Sequence, residues 1–232
     1  ITTLDADGRE LIELGVSYLN QALRLDPGRT SARSGLARVA EWKRYRQLYP
    51  FLRVVSIEQR PGVYAAMPDA DRMFALQLDV NTACFLAERE EYTRHDAAAA
   101  RAGWSEARRV AEELLALANK LQDDPDRGTA MFTAHAALGV VALKQNDRAS
   151  ALKHMEAAGN VPPSDQLRYG TQTPWSRLVV QMLAWGERES VARFLERIAT
   201  FSEAQRDRLV ADAALIRAGR MPAFYQSQTM PH

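Results

Sequence analysis

The residues able to do chemistry are scattered along this chain. The four histidines, His95, His135, His154 and His232, have no His or Cys three or four positions away, so no helix face offers a metal-ligand pair. His135 and His154 fall on opposing arms of one predicted helical hairpin, where they can meet by packing. Glu112-Glu113 and Asp123-Asp124 are adjacent acids, but neighbours on a helix point in different directions, and an acidic pair in a loop reads as a solvated turn or cap. Cys84, the only cysteine, stands in the apolar run Ala83-Cys84-Phe85-Leu86 and reads as a small core residue; no internal disulfide can form. Gly-rich phosphate loops, Gly-x-Ser-x-Gly elbows and Cys/His pairs of recognisable spacing are absent from the sequence. These residues point away from catalysis and imply no metal and no cofactor.

Residue types suited to binding are grouped more tightly. Trp42, Tyr45 and Tyr49 follow one another at three- and four-residue spacing, beside Arg38 and Glu41. Such a stripe either packs into a core or lines a pocket next to the Phe51–Tyr64 segment, which ends on Tyr64. A second group, Arg168, Tyr169, Trp175 and Arg177, places two cations and two aromatics within ten residues. The alternative for Trp175 is packing into the last helix pair.

The elements that must position these residues read as helices. Apolar residues recur three or four apart, and sustained alternation of apolar and polar residues is nearly absent. Helical patterns stop at Asp26-Pro27-Gly28, Gln122-Asp123-Asp124-Pro125, Asn146-Asp147 and Val161-Pro162-Pro163. The segment Leu138–Pro163 matches the tetratricopeptide pattern of paired helices. Leu138-Gly139 and Ala142 belong to the first helix, Asn146-Asp147 to the turn, Ala151, Met155 and Ala158 to the second helix, and Pro163 closes the unit. Partial copies read Gly15, Leu19, Ala22 and Pro27 followed by Leu36-Ala37; Ala111, Leu115 and Ala118; and Leu178, Val179, Met182, Gly186-Glu187, Val191, Leu195 and Ile198. A last helix over Glu203–Ala218 would end at Gly219. Two stretches interrupt the pattern: an irregular insertion near 50–68, β-branched and bounded by prolines, and the charged Glu88–Arg101, in which Asp96 starts the next helix. The expectation is one all-α domain over 1–232, a right-handed superhelical solenoid of antiparallel helix pairs.

The half from about Ala107 to Phe224 resembles a group of uncharacterised bacterial tetratricopeptide-repeat proteins. The likeness rests on the Leu138-Gly139 repeat, on Pro163-Ser164-Asp165-Gln166-Leu167-Arg168-Tyr169-Gly170, and on Arg217-Ala218-Gly219-Arg220-Met221-Pro222. After Tyr169-Gly170 the sequence departs from that pattern, with Thr171-Gln172-Thr173-Pro174 in place of the usual residues. The resemblance implies a fold and no activity.

Composition limits the partners. Thirty basic residues against 29 acidic ones leave a formal charge of +1, which argues against a nucleic-acid binder. Arg supplies all of those cations except Lys43, Lys120, Lys144 and Lys153. No run approaches the ~20 apolar residues of a membrane span. On the best repeat, the positions facing a solenoid groove are Ala136, Ala137, Val140, Leu143 and Lys144, too apolar to clamp a terminal carboxylate; on the earlier pair they are Ser34, Gly35, Arg38, Glu41 and Trp42. The function expected is a non-catalytic scaffold that binds a protein or peptide segment, and self-association into a homo-oligomer is compatible with it. The alternatives are a small-molecule binder or enzyme with its site under the 50–68 insertion, or the docking domain of a longer chain. The chain begins at Ile1 rather than Met; low cysteine content fits cytoplasm or periplasm equally, and a cleaved leader would favour the periplasm.

Overall fold

The computed structural model describes residues 6–54, 60–169 and 176–222, and every regular element among them is a helix. In chain order these are α1 (Ala6–Leu25), α2 (Thr30–Val54), α3 (Arg60–Ala65), α4 (Asp69–Tyr92), α5 (Ala97–Lys120), α6 (Arg127–Lys144), α7 (Arg148–Gly159), α8 (Asp165–Tyr169), α9 (Ser176–Ala184), α10 (Arg188–Phe201) and α11 (Arg206–Arg217). No described helix is long and apolar enough to cross a membrane.

Local chemistry sets the helix ends. The Asp96 carboxylate accepts from the Ala98 and Ala99 amides at 3.0 and 2.9 Å, satisfying donors that the first turn of α5 leaves open. Asp147 does the same for Ser150 at the start of α7, at 3.0 Å. The α6–α7 turn needs a left-handed residue, and Asn146 takes φ 59° there. Gly186 and Gly219, at φ 83° and 77°, terminate α9 and α11 in the same way.

Packing follows the apolar spacing. Trp104, Ala107, Ala111, Leu114 and Ala118 bury one face of α5. Nearly the whole surface of α6 is buried, because α4, α5, α7 and α9 all pack against it. Each helix from α4 to α7 packs on the next, α9 and α11 pack on α10, and α7 also meets α10. Phe132 of α6 stacks on Phe194 of α10 with ring centroids 6.5 Å apart. Gly139 lets α6 approach α9: a Cβ there would lie 3.0 Å from both Leu178 methyls. The first pair is joined to this core mainly through α8, which packs on α2.

The expected irregular insertion near 50–68 is largely helical where it is described. Residues 50–54 continue α2, 60–65 form α3, and only 66–68 make a turn. Helix propensity is a weak prior, and Pro50 does not end α2, which runs on to Val54. The charged run from Glu88 likewise completes α4 through Tyr92, leaving residues 93–96 as the connection to α5. Cys84 is buried, as expected of a small core residue. The last helix begins at Arg206, three residues later than Glu203.

Candidate functional site

A cavity of about 590 Å³ lies where the first pair meets the rest of the molecule. Its floor and one wall come from α2, where Arg33, Leu36, Ala37 and Ala40 at i, i+3, i+4 and i+7 share one face. Phe74 of α4 adds an apolar surface, Pro125 and Asp126 come from the α5–α6 loop, and α8 supplies Asp165, Gln166 and Tyr169.

Polar contacts from α2 and α6 hold α8 in place. Arg33 Nη1 donates to the Tyr169 hydroxyl at 2.9 Å, and its guanidinium sits 5.8 Å from the centre of that ring. Arg33 also donates to the Pro27 carbonyl, and Ser34 Oγ donates to the Tyr169 carbonyl. Ser164 ties the start of α8 to α6 through Thr129, with Oγ atoms 2.6 Å apart and both residues buried. The hydrogen bond to Tyr169 raises the Arg33 pKa, so this cation is held charged and engaged. Asp126 and Asp165 bring negative charge to the rim around an apolar floor.

A second cavity of about 330 Å³ lies between α3, α4 and α5, lined by Arg60, Asp79, Glu106 and Arg109 and by Leu86 and Val110. Asp79 is buried; Arg60 Nη1 reaches its Oδ1 at 2.5 Å and the Tyr64 hydroxyl donates to its Oδ2. Burial pushes the Asp79 carboxyl upward against the pull of those two partners. Burial and the neighbouring carboxylate push the Tyr64 phenol strongly upward. Arg109 binds Glu106 at 2.7 and 2.8 Å and holds that carboxyl below its usual value.

The predicted binding residues separate accordingly. Tyr169 lines the larger cavity and Arg168 lies beside it on α8, with its carbonyl accepting from the Ala204 amide at 3.1 Å. Arg38 is exposed and Trp42 half-buried on α2, and neither lines that cavity. Tyr64 is not presented to a partner, because it is 4% exposed and its hydroxyl is spent on Asp79. The side chains of Glu41, Tyr45, Tyr49 and Arg177, and all of Trp175, lie outside the described residues. The working face of α2 is rotated by about one residue from the predicted Ser34, Gly35 and Arg38 face. The reason is packing: Gly35 receives the Leu19 side chain of α1, and Ser34 is bonded to α8. Arg33, Leu36, Ala37 and Ala40 were visible in sequence as an i, i+3, i+4, i+7 set, but the element facing them, α8, begins 125 residues beyond Ala40.

On α6, Ala136, Ala137, Val140 and Leu143 are 7% exposed or less, so they are core rather than groove. Lys144 ends that row in a cluster with α4 and α5. Its ammonium meets Glu91 at 3.0 Å and the Tyr92 hydroxyl at 2.6 Å, and lies 5.4 Å from the Trp104 ring centre. Burial opposes its charge, but the bonds to Tyr92 and Glu91 prevail and raise its pKa. His135 and His154 do meet across their hairpin, Nδ1 to Nδ1 at 3.2 Å. Burial first, then the neighbouring imidazole, pulls His135 down to about 4. No group of three or more potential metal ligands occurs among the described residues. No protein-family model, curated protein or solved structure matches this chain, so its reading rests on these residues and their geometry.

Proposed function

We propose that this chain is a tetratricopeptide-like solenoid that works as a binding scaffold. Its cavity between α2 and α8 holds a peptide segment carrying an apolar side chain beside a Lys or Arg. Support for the architecture comes from the α6–α7 hairpin with its Leu138-Gly139 pair, and from contacts between helices not adjacent in sequence, α4 with α6 and α6 with α9. The binding reading is carried by the cavity lining. Leu36, Ala37, Ala40 and Phe74 form an apolar floor of about the size that accepts one or two side chains, while Asp126 and Asp165 stand at its edge. Among the described residues that line the cavity, Arg33 is the cation, and it is already engaged by Tyr169.

Selection of random peptides on the immobilised 232-residue chain, followed by calorimetric titration of the winners, tests this reading. Selected peptides should share an apolar residue flanked by Lys or Arg. Ala37→Glu should abolish binding, and Asp126→Asn with Asp165→Asn should weaken it and flatten its salt dependence. Winners that are acidic, or that ignore these substitutions, would refute it. A second reading, a small-molecule site under α3, is favoured by the convergence of Arg60, Asp79, Glu106 and Arg109 on one cavity. A ligand stabilising the wild type but not an Ala83→Trp chain, in which that cavity is filled, would establish it.

A further inference from the structure

Helix α1 carries two apolar faces, and among the described residues only one of them is covered. Leu19 fills the space above Gly35 and fixes α1 on α2. On the opposite side Leu14, Tyr18 and Leu25 are 50%, 63% and 83% exposed. Their spacing of four and seven residues puts them on one stripe, with Gln21 between.

We propose that this stripe is a self-association surface, on which α1 of a second copy of the chain packs antiparallel about a twofold axis. The pattern is self-complementary. With the axis passing between Leu19 and Asn20, Leu14 meets the second copy's Leu25, and Tyr18 meets its Gln21. Glu13 and Arg24 share one flank of the stripe, and antiparallel packing about a twofold sets like flanks against each other. Glu13 and the second copy's Arg24 then lie within about 3 Å of one another along the helix axis. A parallel arrangement would instead set that charged flank against Gly15 and Ala22, with no complementary charge. Lys43 of α2 already reaches Glu13 at 2.8 Å, but the Glu13 side chain remains 68% exposed and its carboxylate is open to a second cation. One helix–helix contact is a small interface, so the dimer is weak and concentration-dependent.

Sedimentation equilibrium of the 232-residue chain tests this over a wide concentration range. The mass should rise from 25.9 kDa toward twice that value. Leu14→Ser with Leu25→Ser should leave a monomer, and because both positions are exposed the far-UV spectrum should not change. Arg24→Glu should weaken the dimer about tenfold or more, by facing the second copy's Glu13 with a like charge. Adding Glu13→Arg to that chain should restore association to within about threefold, a rescue expected only if these two positions face each other. The proposal is overturned by a monomer at every concentration, which is also the outcome if another segment of the chain covers the stripe. It is equally overturned by association that ignores Arg24→Glu, or by failure of the double exchange to restore it.

Discussion

A single methyl group at position 128 should separate two parts of the core. Gly128 lies in the first turn of α6, under the chain that connects α7 to α8. A Cβ there would stand 2.0 Å from the Pro162 carbonyl oxygen and 3.0 Å from its carbon. Both obstacles are backbone, so no rotamer change relieves the clash, and Gly128→Ala must push residues 162–163 away by an ångström or more. The same movement stretches the buried Thr129–Ser164 hydrogen bond of 2.6 Å, which starts α8 and thereby sets one wall of the larger cavity. Overpacking costs about 1–3 kcal/mol and a lost buried hydrogen bond about 1 more, against a helix-propensity gain below about 1. The net is a destabilisation of about 1–3 kcal/mol, or about 2–12 °C in melting temperature for a chain of this size. Two other glycines calibrate the measurement. Gly139→Ala meets only the tips of the Leu178 side chain and should cost about 1 kcal/mol, while Gly15→Ala meets nothing within 4 Å and should stabilise α1 by about 0.5–1 kcal/mol. Thermal and urea unfolding followed by circular dichroism would rank the three. If Gly128→Ala melted at or above wild type, the close approach of α6 to the α7–α8 connection would be wrong.

Acid titration should weaken the fold through the His135–His154 pair. Both pKa values lie below the ordinary 6.5, His135 at about 4, so the contribution is full above pH 6.5 and is lost as pH falls from there toward 4. After allowance for solvent screening of these partly exposed rings it amounts to about 1–2 kcal/mol, and His135→Gln should flatten that part of the stability–pH curve. Tyr169→Phe removes the acceptor of the Arg33 bond and should cost about 1 kcal/mol, with faster amide exchange in α8 while the α6–α7 hairpin stays protected. Phe132→Ala empties a site 1% exposed and stacked on Phe194, and should cost about 3–5 kcal/mol in urea unfolding. Asp79→Ala takes the acceptor from the buried Tyr64 hydroxyl and one partner from Arg60 and should cost about 2–3 kcal/mol by the same measurement, whereas a loss below about 1 would show that water reaches this cluster freely.

Helices, turns and the central hairpin were legible in the sequence because their causes are local. Asp96 and Asp147 cap within three residues, Asn146, Gly186 and Gly219 stop helices by their own backbone conformations, and the stripe Leu178, Val179, Met182, Val191, Leu195 and Ile198 is buried throughout. Residues 50–54 and 60–65 were misread as irregular, because proline and β-branching are only tendencies and α2 carried on past Pro50 to Val54. Tyr64 was read as a surface aromatic because the carboxylate that takes its hydroxyl, Asp79, is on another helix.

The sequence by itself determined that this protein is helical, where most of its helices start and stop, and which face of each is apolar, since these follow from spacings of three or four residues. Only the tertiary structure decided which of those faces are covered. Arg33 and Tyr169 are 136 residues apart, and their meeting turns one side of α2 into a cavity wall. No spacing rule reaches that far, because the position of α8 follows from how the intervening helices stack. The same holds at α1, where Leu19 and Tyr18 are equally apolar in sequence and only the packing of α2 leaves one covered and the other bare.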